Sequence, residues 1–422
     1  MNRRATGALL LSLGTIAATA GTAGAQDAST LPGTGATGDI SFVVAEYSTK
    51  TGPFWEKIVN ECEAANPGLN INLEVLGWEQ AHDSTAQRIA AGTFPDLLNT
   101  ATIWVPEWAD AGAIQPVSDA LVPADIASSF IPALYEKSAL YNGQSWGLPI
   151  AAASRGLFYN TDLFTQAGLD PATPPVTWDD LKADAVAIHD KTGEYGYAFD
   201  AKGVTAFRSF GFFLWNNGGD FFTEDGKAAF NSDAGVQALQ FLVDLAATGA
   251  TPDPSGILAE EVGDLFHAGK LGMFIDGNYQ IAVTAGKNPD LKYGVTNAPI
   301  ATADTPPVTW GVTDTLVIGK NADPARVQAV VTCIYQPQVR TEFDVAEGLL
   351  PVLTSQADDP AFADPKVQAF AKGLEVARFD PLNPKYSQMQ ELVKTAMQEA
   401  FSGASSPKDA LDKAAAAFDA LP

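Results

Sequence analysis

The stretch ISFVVAEYSTKTGPFWEKIVNECEAANPGLNINLEV, residues 40–75, changes its apolar period twice. Ile40, Phe42, Val43 and Val44 make a near-continuous apolar run of strand length, the pattern of a strand covered on both faces. Phe54, Trp55, Ile58, Val59 and Cys62 then recur at steps of three and four, which predicts a helix with one apolar face. Asn66-Pro67-Gly68 ends that helix. Ile71, Leu73 and Val75 alternate, as a second strand does.

The rhythm continues outward. A helix is predicted from His82 to Ala91, closed by Gly92, and a short strand at Asp96-Leu97-Leu98. Strands separated by helices imply a parallel sheet with helices on its faces. Downstream, Leu157-Phe158-Tyr159 reads as a strand and Asp162–Ala167 as a helix stopped by Gly168. Thr177, with Asp180 three residues on, is a variant of the capping box, and Ser232 caps a helix running to Thr248. Leu271–Ile275, Tyr293–Val295 and Thr315–Ile318 are further strands, Asp323–Gln336 is a helix, and the chain is helical from Val367 on. The fold class is α/β. At 422 residues the chain exceeds one ordinary core, so two domains are expected, interleaved rather than joined by one linker.

The formal net charge is −25, which repels phosphate backbones and anionic membranes and excludes nucleic acid as a partner. That charge serves solubility; acidic patches docking on basic loops of a partner would read the same way. At the start, Arg3-Arg4, an apolar run around Leu9–Ile16 and Ala23-Gly24-Ala25 form a secretory signal peptide over residues 1–25. No cysteine stands at the cleavage point, which argues against a lipid anchor. Residues 26–38, rich in Gly, Thr, Ala and Ser, read as a flexible lead. The mature chain is then expected in an extracytoplasmic compartment, most simply a periplasm, with no membrane insertion. Cys62 and Cys333 are compatible with one disulfide there. Both fall on apolar helix faces, so two buried free thiols are the plainer expectation.

Motifs suggestive of catalysis fail on context. Gly33–Gly38 matches G-x-G-x-x-G but precedes the first strand. Gly143-Gln144-Ser145-Trp146-Gly147 matches G-x-S-x-G, yet Leu148-Pro149 follows where a nucleophile elbow needs a helix. The three histidines, His82, His189 and His267, lie too far apart for a local zinc motif. No cofactor is implied. Fifty acidic residues leave a glycosidase pair open by counting alone.

Several blocks, in order, resemble the extracellular solute-binding proteins of ABC importers, the carbohydrate type that includes maltose-binding protein. They are Ala91-Gly92-Thr93-Phe94-Pro95-Asp96, Ala111–Pro116, Tyr141–Pro149, Leu157–Phe164, Ala167-Gly168-Leu169, Pro175–Trp178, Phe266–Gly277 and Gly348–Pro351. The resemblance implies two α/β lobes joined by three crossings, near Ala151–Arg155, Trp310–Asp314 and Ser355–Asp359. Lobe one is then 39–152 with 313–354, and lobe two 153–312 with 355–422. It implies a monomer that shuts on a mono- or oligosaccharide and hands it to membrane permease subunits, without chemistry of its own. A polyol, sugar acid or phosphorylated polyol would suit the same fold. A secreted glycoside-acting enzyme and a surface adhesion or sensor protein are the rival classes.

Sugars present C–H faces and hydroxyls, so their sites need aromatic planes and hydrogen-bonding rims. Three candidates rest on the resemblance: Trp104, in a loop the family uses for contact; Tyr279, where the family carries a stacking Trp; and Trp310, at a crossing. Trp215 suits site and core equally, while Trp55, Trp78 and Trp108 read as core and Trp178 and Trp146 as structural. Ligands gather beyond the carboxyl ends of parallel strands. That rule selects Glu46, Tyr47, Thr49 and Lys50 after the first strand and Glu79 after the second. Arg155 at the first crossing is the main charged candidate, with Arg208 and Arg378 next, and Asp314 at the second crossing either binds hydroxyls or caps its strand.

Overall fold

The computed structural model describes residues 31–421 apart from 138 and 204, and without the side chains of Glu79 and Lys137. The signal-peptide reading and residues 26–30 of the lead lie outside the described residues.

The opening stretch folds as its periodicity dictates. β1 (Gly38–Glu46) pairs in parallel with β2 (Leu69–Gly77) along its whole length, Gly38 opposite Leu69 and Glu46 opposite Gly77. The helix Thr51–Ala65 lies between them and buries Phe54, Trp55, Ile58, Val59 and Cys62. β3 (Leu97–Ala101) pairs in parallel on the other edge of β1, Phe42 opposite Leu97.

Two long strands carry the chain from this body to the next. β4 (Gly147–Asn160) and β8 (Thr309–Gly319) run antiparallel to each other, from Gly311 opposite Ser154 to Val317 opposite Gly147. The lower half of β8 pairs with β3, Asp314 opposite Ala101 through Ile318 opposite Leu97. Its upper half pairs with β9 (Ala377–Phe379). The upper half of β4 pairs with β6 (Leu271–Gly277) and β7 (Tyr293–Thr296), and β6 in turn with β5 (Tyr195–Tyr197) in parallel. Pairing is therefore parallel at both outer ends of the sheet and antiparallel where the crossing strands meet each other and their neighbours, except that β8 and β9 are parallel. A third segment returns near the crossings. Leu350 donates to Ala152 O at 2.8 Å, and the helix Pro365–Gly373 sits on β4, where Ser154 Oγ donates to Phe370 O at 2.8 Å.

Two large core clusters pack on the crossings, and the first extends past them to Phe158, Phe266 and Phe274. The first is built on Phe42, Trp55, Leu316 and Phe343, the other on Phe207, Phe210, Trp310 and Met389. Full burial of each such large side chain contributes about 2–3 kcal/mol. The predicted capping box forms, with Thr177 accepting from Asp180 N and Asp180 returning to Thr177 N.

Two expectations are corrected. Cys62 and Cys333 are disulfide-bonded, because the helix Thr51–Ala65 packs beside Pro324–Ile334 and brings their Cα atoms to 5.9 Å. Residues 31–37 are also not a free lead. Leu31 is buried, and Asn66 Oδ1 accepts from Thr34 N at 2.7 Å and Gly35 N at 3.3 Å, so a helix-terminal side chain fastens the segment down.

Candidate functional site

The carboxyl ends of β1, β2 and β3 open on the gap between the two bodies, and aromatic side chains collect there. Tyr47, just past β1, meets Trp78 edge-on at 5.6 Å between ring centroids. Trp78 lies 6.1 Å from Trp104, and Trp104 5.0 Å from His82 and 5.9 Å from Trp108. Trp108 is fully buried and anchors the row, while Tyr47, Trp78 and Trp104 are half-buried and keep accessible surface. His82 Nε2 bonds Glu107 Oε2 at 2.8 Å on the outer side.

The floor is polar. Tyr47 Oη donates to Asp314 Oδ2 at 2.8 Å, at the point where β8 breaks register with β4 between Asp314 and Thr315. Burial pushes the Asp314 carboxyl up to about 7, against the Tyr47 hydrogen bond and the charges of Arg155 and Arg208, which favour ionisation. Burial likewise raises the Tyr47 phenol well above its ordinary range, with the Asp314 charge adding to it.

The facing wall comes from the second body. Arg155, opposite Gly277 on β6, lies over the Tyr279 ring at 5.5 Å. Tyr279 is 39% exposed and donates to Asp276, whose other oxygen accepts from Gln280 Nε2 at 2.7 Å. Arg208 Nη2 donates to Asp380 Oδ2 at 3.3 Å, and Asp380 also accepts from Trp310 Nε1 and Tyr386 Oη. Beside this wall a gap of about 580 Å³ separates Leu140–Asn142 of the first body from Ala377–Leu382 of the second. That size falls in the range of small-molecule sites.

These contacts and mutual charge interactions link Tyr47, Asp314, Arg155, Arg208 and Tyr279, with Trp104 joined through Trp78. Glu46 and Thr49 are exposed on the first-body rim. Lys50 is exposed too, but its Nζ donates to Ala346 O at 3.0 Å and is turned onto its own body. Glu79 stands in the helix Trp78–Ala91, its side chain outside the described residues.

Two candidates are corrected. Trp310 has no exposed surface; Trp215, Phe207, Phe212 and Phe221 enclose its ring, so it presents no face to a ligand. Trp215, 4.2 Å from it between centroids and 2% exposed, is also core. Arg378 covers the Trp215 ring at 4.9 Å and is ion-paired with Asp220, so it caps that core at the edge of the gap. Trp78, read as core, instead joins the aromatic row; its place right after β2 was the available signal. Asp200, Asp276 and Asp380 were not singled out, since fifty acidic residues hide any three.

Among the described residues no group of His, Cys, Asp and Glu is placed to hold a metal, and no helix is long and apolar enough to cross a membrane.

Two α/β bodies joined by crossing strands are the architecture of the two-lobe solute-binding fold. Residues 45–341 match the bacterial extracellular solute-binding proteins, and the chain belongs to that family. A binding protein of Brucella abortus is 32% identical over 388 residues, covering 91% of this chain and 93% of the relative. An sn-glycerol-3-phosphate-binding periplasmic protein of Yersinia enterocolitica is 25% identical, covering 87% and 91%. Among solved structures, the cyclic alpha-maltosyl-1,6-maltose binding protein of Arthrobacter globiformis superposes with a TM-score of 0.80 at 26% identity, covering 91% of this chain and 99% of that one. An ABC transporter solute-binding protein of Thermotoga lettingae, bound with alpha-D-tagatose, gives 0.76 at 25% identity with the same coverage.

Proposed function

We propose that this chain is the secreted substrate-binding component of an ABC importer, taking a mono- or oligosaccharide between its lobes and delivering it to the membrane permease. Lobe one comprises 39–152 with 313–354, and lobe two 153–312 with 355–422. The chain acts as a periplasmic monomer and performs no chemistry. The carrying observation is the pairing of an accessible aromatic row, Tyr47–Trp78–Trp104, with a hydrogen-bonding wall of Arg155, Asp314 and Tyr279. Aromatic planes suit sugar C–H faces and the wall suits hydroxyls. Closure gains contacts absent from the open form, so solute shifts the population toward the state a permease reads. The sugar-binding neighbours named above support the same reading.

The two guanidiniums, and the glycerol-phosphate relative, favour a second reading: an acidic or phosphorylated polyol. A thermal-shift panel of maltose, D-tagatose and D-glucose against D-glucuronate and sn-glycerol 3-phosphate separates them. A rise in Tm with neutral sugars supports the first reading. A rise only with the anions supports the second, and deletion of the gene without loss of solute uptake overturns both.

A further inference from the structure

Beneath Tyr279 lies a pocket of about 90 Å³, sunk into the wall of the second lobe. Arg155, Asp200, Arg208, Ser209, Asp276 and Tyr279 line its polar side. Three buried polar atoms of this lining have no hydrogen-bond partner among the described residues: Arg155 Nη1, Arg208 Nε and Asp200 Oδ2. Asp200 is 5% exposed; Ser209 Oγ donates to its other carboxyl oxygen at 3.3 Å, and the Gly203 backbone also interacts with the carboxylate. Buried donors and acceptors left unpaired are costly, so three charged groups converging on one small pocket mark a place where something else completes their bonds.

The charges say what kind of group that is. Two guanidiniums, Arg155 and Arg208, face three carboxylates, Asp200, Asp276 and Asp380. Asp276 and Asp380 each already accept three hydrogen bonds from protein donors, whereas Asp200 Oδ2 has no partner at hydrogen-bond geometry among the described residues. A carboxylate or phosphate entering here would meet Asp200 head-on. A pair of hydroxyls suits both sides, donating to Asp200 and accepting from an arginine.

We infer that this pocket is a subsite for one hydroxylated end of a neutral sugar, with Asp200 as the residue that discriminates against acidic ligands. The inference rests on the sugar reading above and narrows it: the arginines serve hydroxyl recognition, and no anion is selected. The size of the pocket admits one end of a sugar ring, leaving the remainder to stack against the aromatic row of lobe one.

The test is calorimetric titration of the purified chain with matched pairs: D-glucose and D-glucuronate, D-galactose and D-galacturonate, glycerol and sn-glycerol 3-phosphate. The wild type is compared with Asp200→Asn and with Ser209→Ala, each checked for native thermal unfolding. The expected result is a neutral partner at least tenfold tighter than its acid. Asp200→Asn then weakens the neutral partner roughly 10–100-fold, the effect of losing a charged hydrogen-bond acceptor, and narrows its lead over the acid. Ser209→Ala has a smaller effect in the same direction. An acid that binds as well as its neutral partner in the wild type overturns the inference, as does unchanged neutral affinity in Asp200→Asn. Should Asp200→Asn fail to fold, the wild-type preference within each pair still decides it. Binding of no member of any pair, nor of maltose or D-tagatose, overturns the sugar reading itself, a result distinct from loss of selectivity.

Discussion

The Tyr47 hydroxyl donates to Asp314 Oδ2 across 2.8 Å, fastening the end of β1 to the register break in the crossing strand β8. These residues are 267 apart in sequence, and the contact puts a titratable group between the aromatic row and Arg155.

Stability should carry the mark of Asp314. A free aspartate ionises near about 3.9. In the folded chain burial holds Asp314 protonated up to about 7. Between those values the folded state keeps a proton that the unfolded state has released, so stability falls as pH rises through the window and levels off above it. Burial also raises Asp344, to about 6, so the slope above that pH belongs mainly to Asp314. Thermal melts across the range should show Asp314→Asn flattening this upper part. An identical slope in the variant would contradict the assignment.

A buried ion pair guards the third segment. Arg340 and Asp344 are both 0% exposed; Arg340 donates to Asp344 and to Ile150 O on β4, and Gln356 Nε2 donates to Asp344 at 2.9 Å. Gln356 Oε1 also accepts from Val352 N and Leu353 N. Arg340→Ala strands a buried carboxylate and should cost about 3–5 kcal/mol by denaturant titration. Arg340→Met with Asp344→Leu removes both charges and should cost far less. Equal losses in the two would refute the account.

The disulfide joins Cys62 to Cys333, 271 residues further along the chain. Cys62→Ala with Cys333→Ala should lower stability by about 2–5 kcal/mol. Cys62 stands near the end of its helix that leads into the start of β2, opposite the strand ends where Tyr47 and Trp78 sit, so sugar affinity should hold; a coupled loss of affinity would show that the bond shapes the site.

Trp104 and Trp310 should behave oppositely. Trp310→Ala opens a hole in a packed core and should cost about 3–5 kcal/mol of stability. Trp104→Ala should leave folding nearly intact and weaken sugar binding about tenfold or more, as a stacking plane is lost. The two sets of measurements, unfolding and titration, would expose the reverse pattern at once.

Much of this was legible before any coordinates. The β1–helix–β2 unit follows from period changes that any covered sheet imposes. Arg155 and Asp314 stood out because family-like blocks placed them at crossings, and both reach the crevice. Trp310 stood out for the same reason, yet its ring is swallowed by Trp215 and three phenylalanines. Packing by residues distant in sequence decides between cleft and core here, and residue type alone does not report it. The Cys62–Cys333 bond was illegible for a related reason: it depends on two helices packing side by side across most of the chain. Asp200 was hidden by abundance. Only burial and a missing partner separate it from the other acids.

The most direct test is a crystal structure of the chain grown with whichever neutral sugar of the thermal-shift panel raises Tm most. The account predicts density for the sugar between Trp104 and Tyr279, with hydroxyls bonded to Arg155 and Asp200 and the lobes drawn together around it. Density on one lobe alone, or anywhere that leaves Tyr47, Arg155 and Tyr279 untouched, would contradict it.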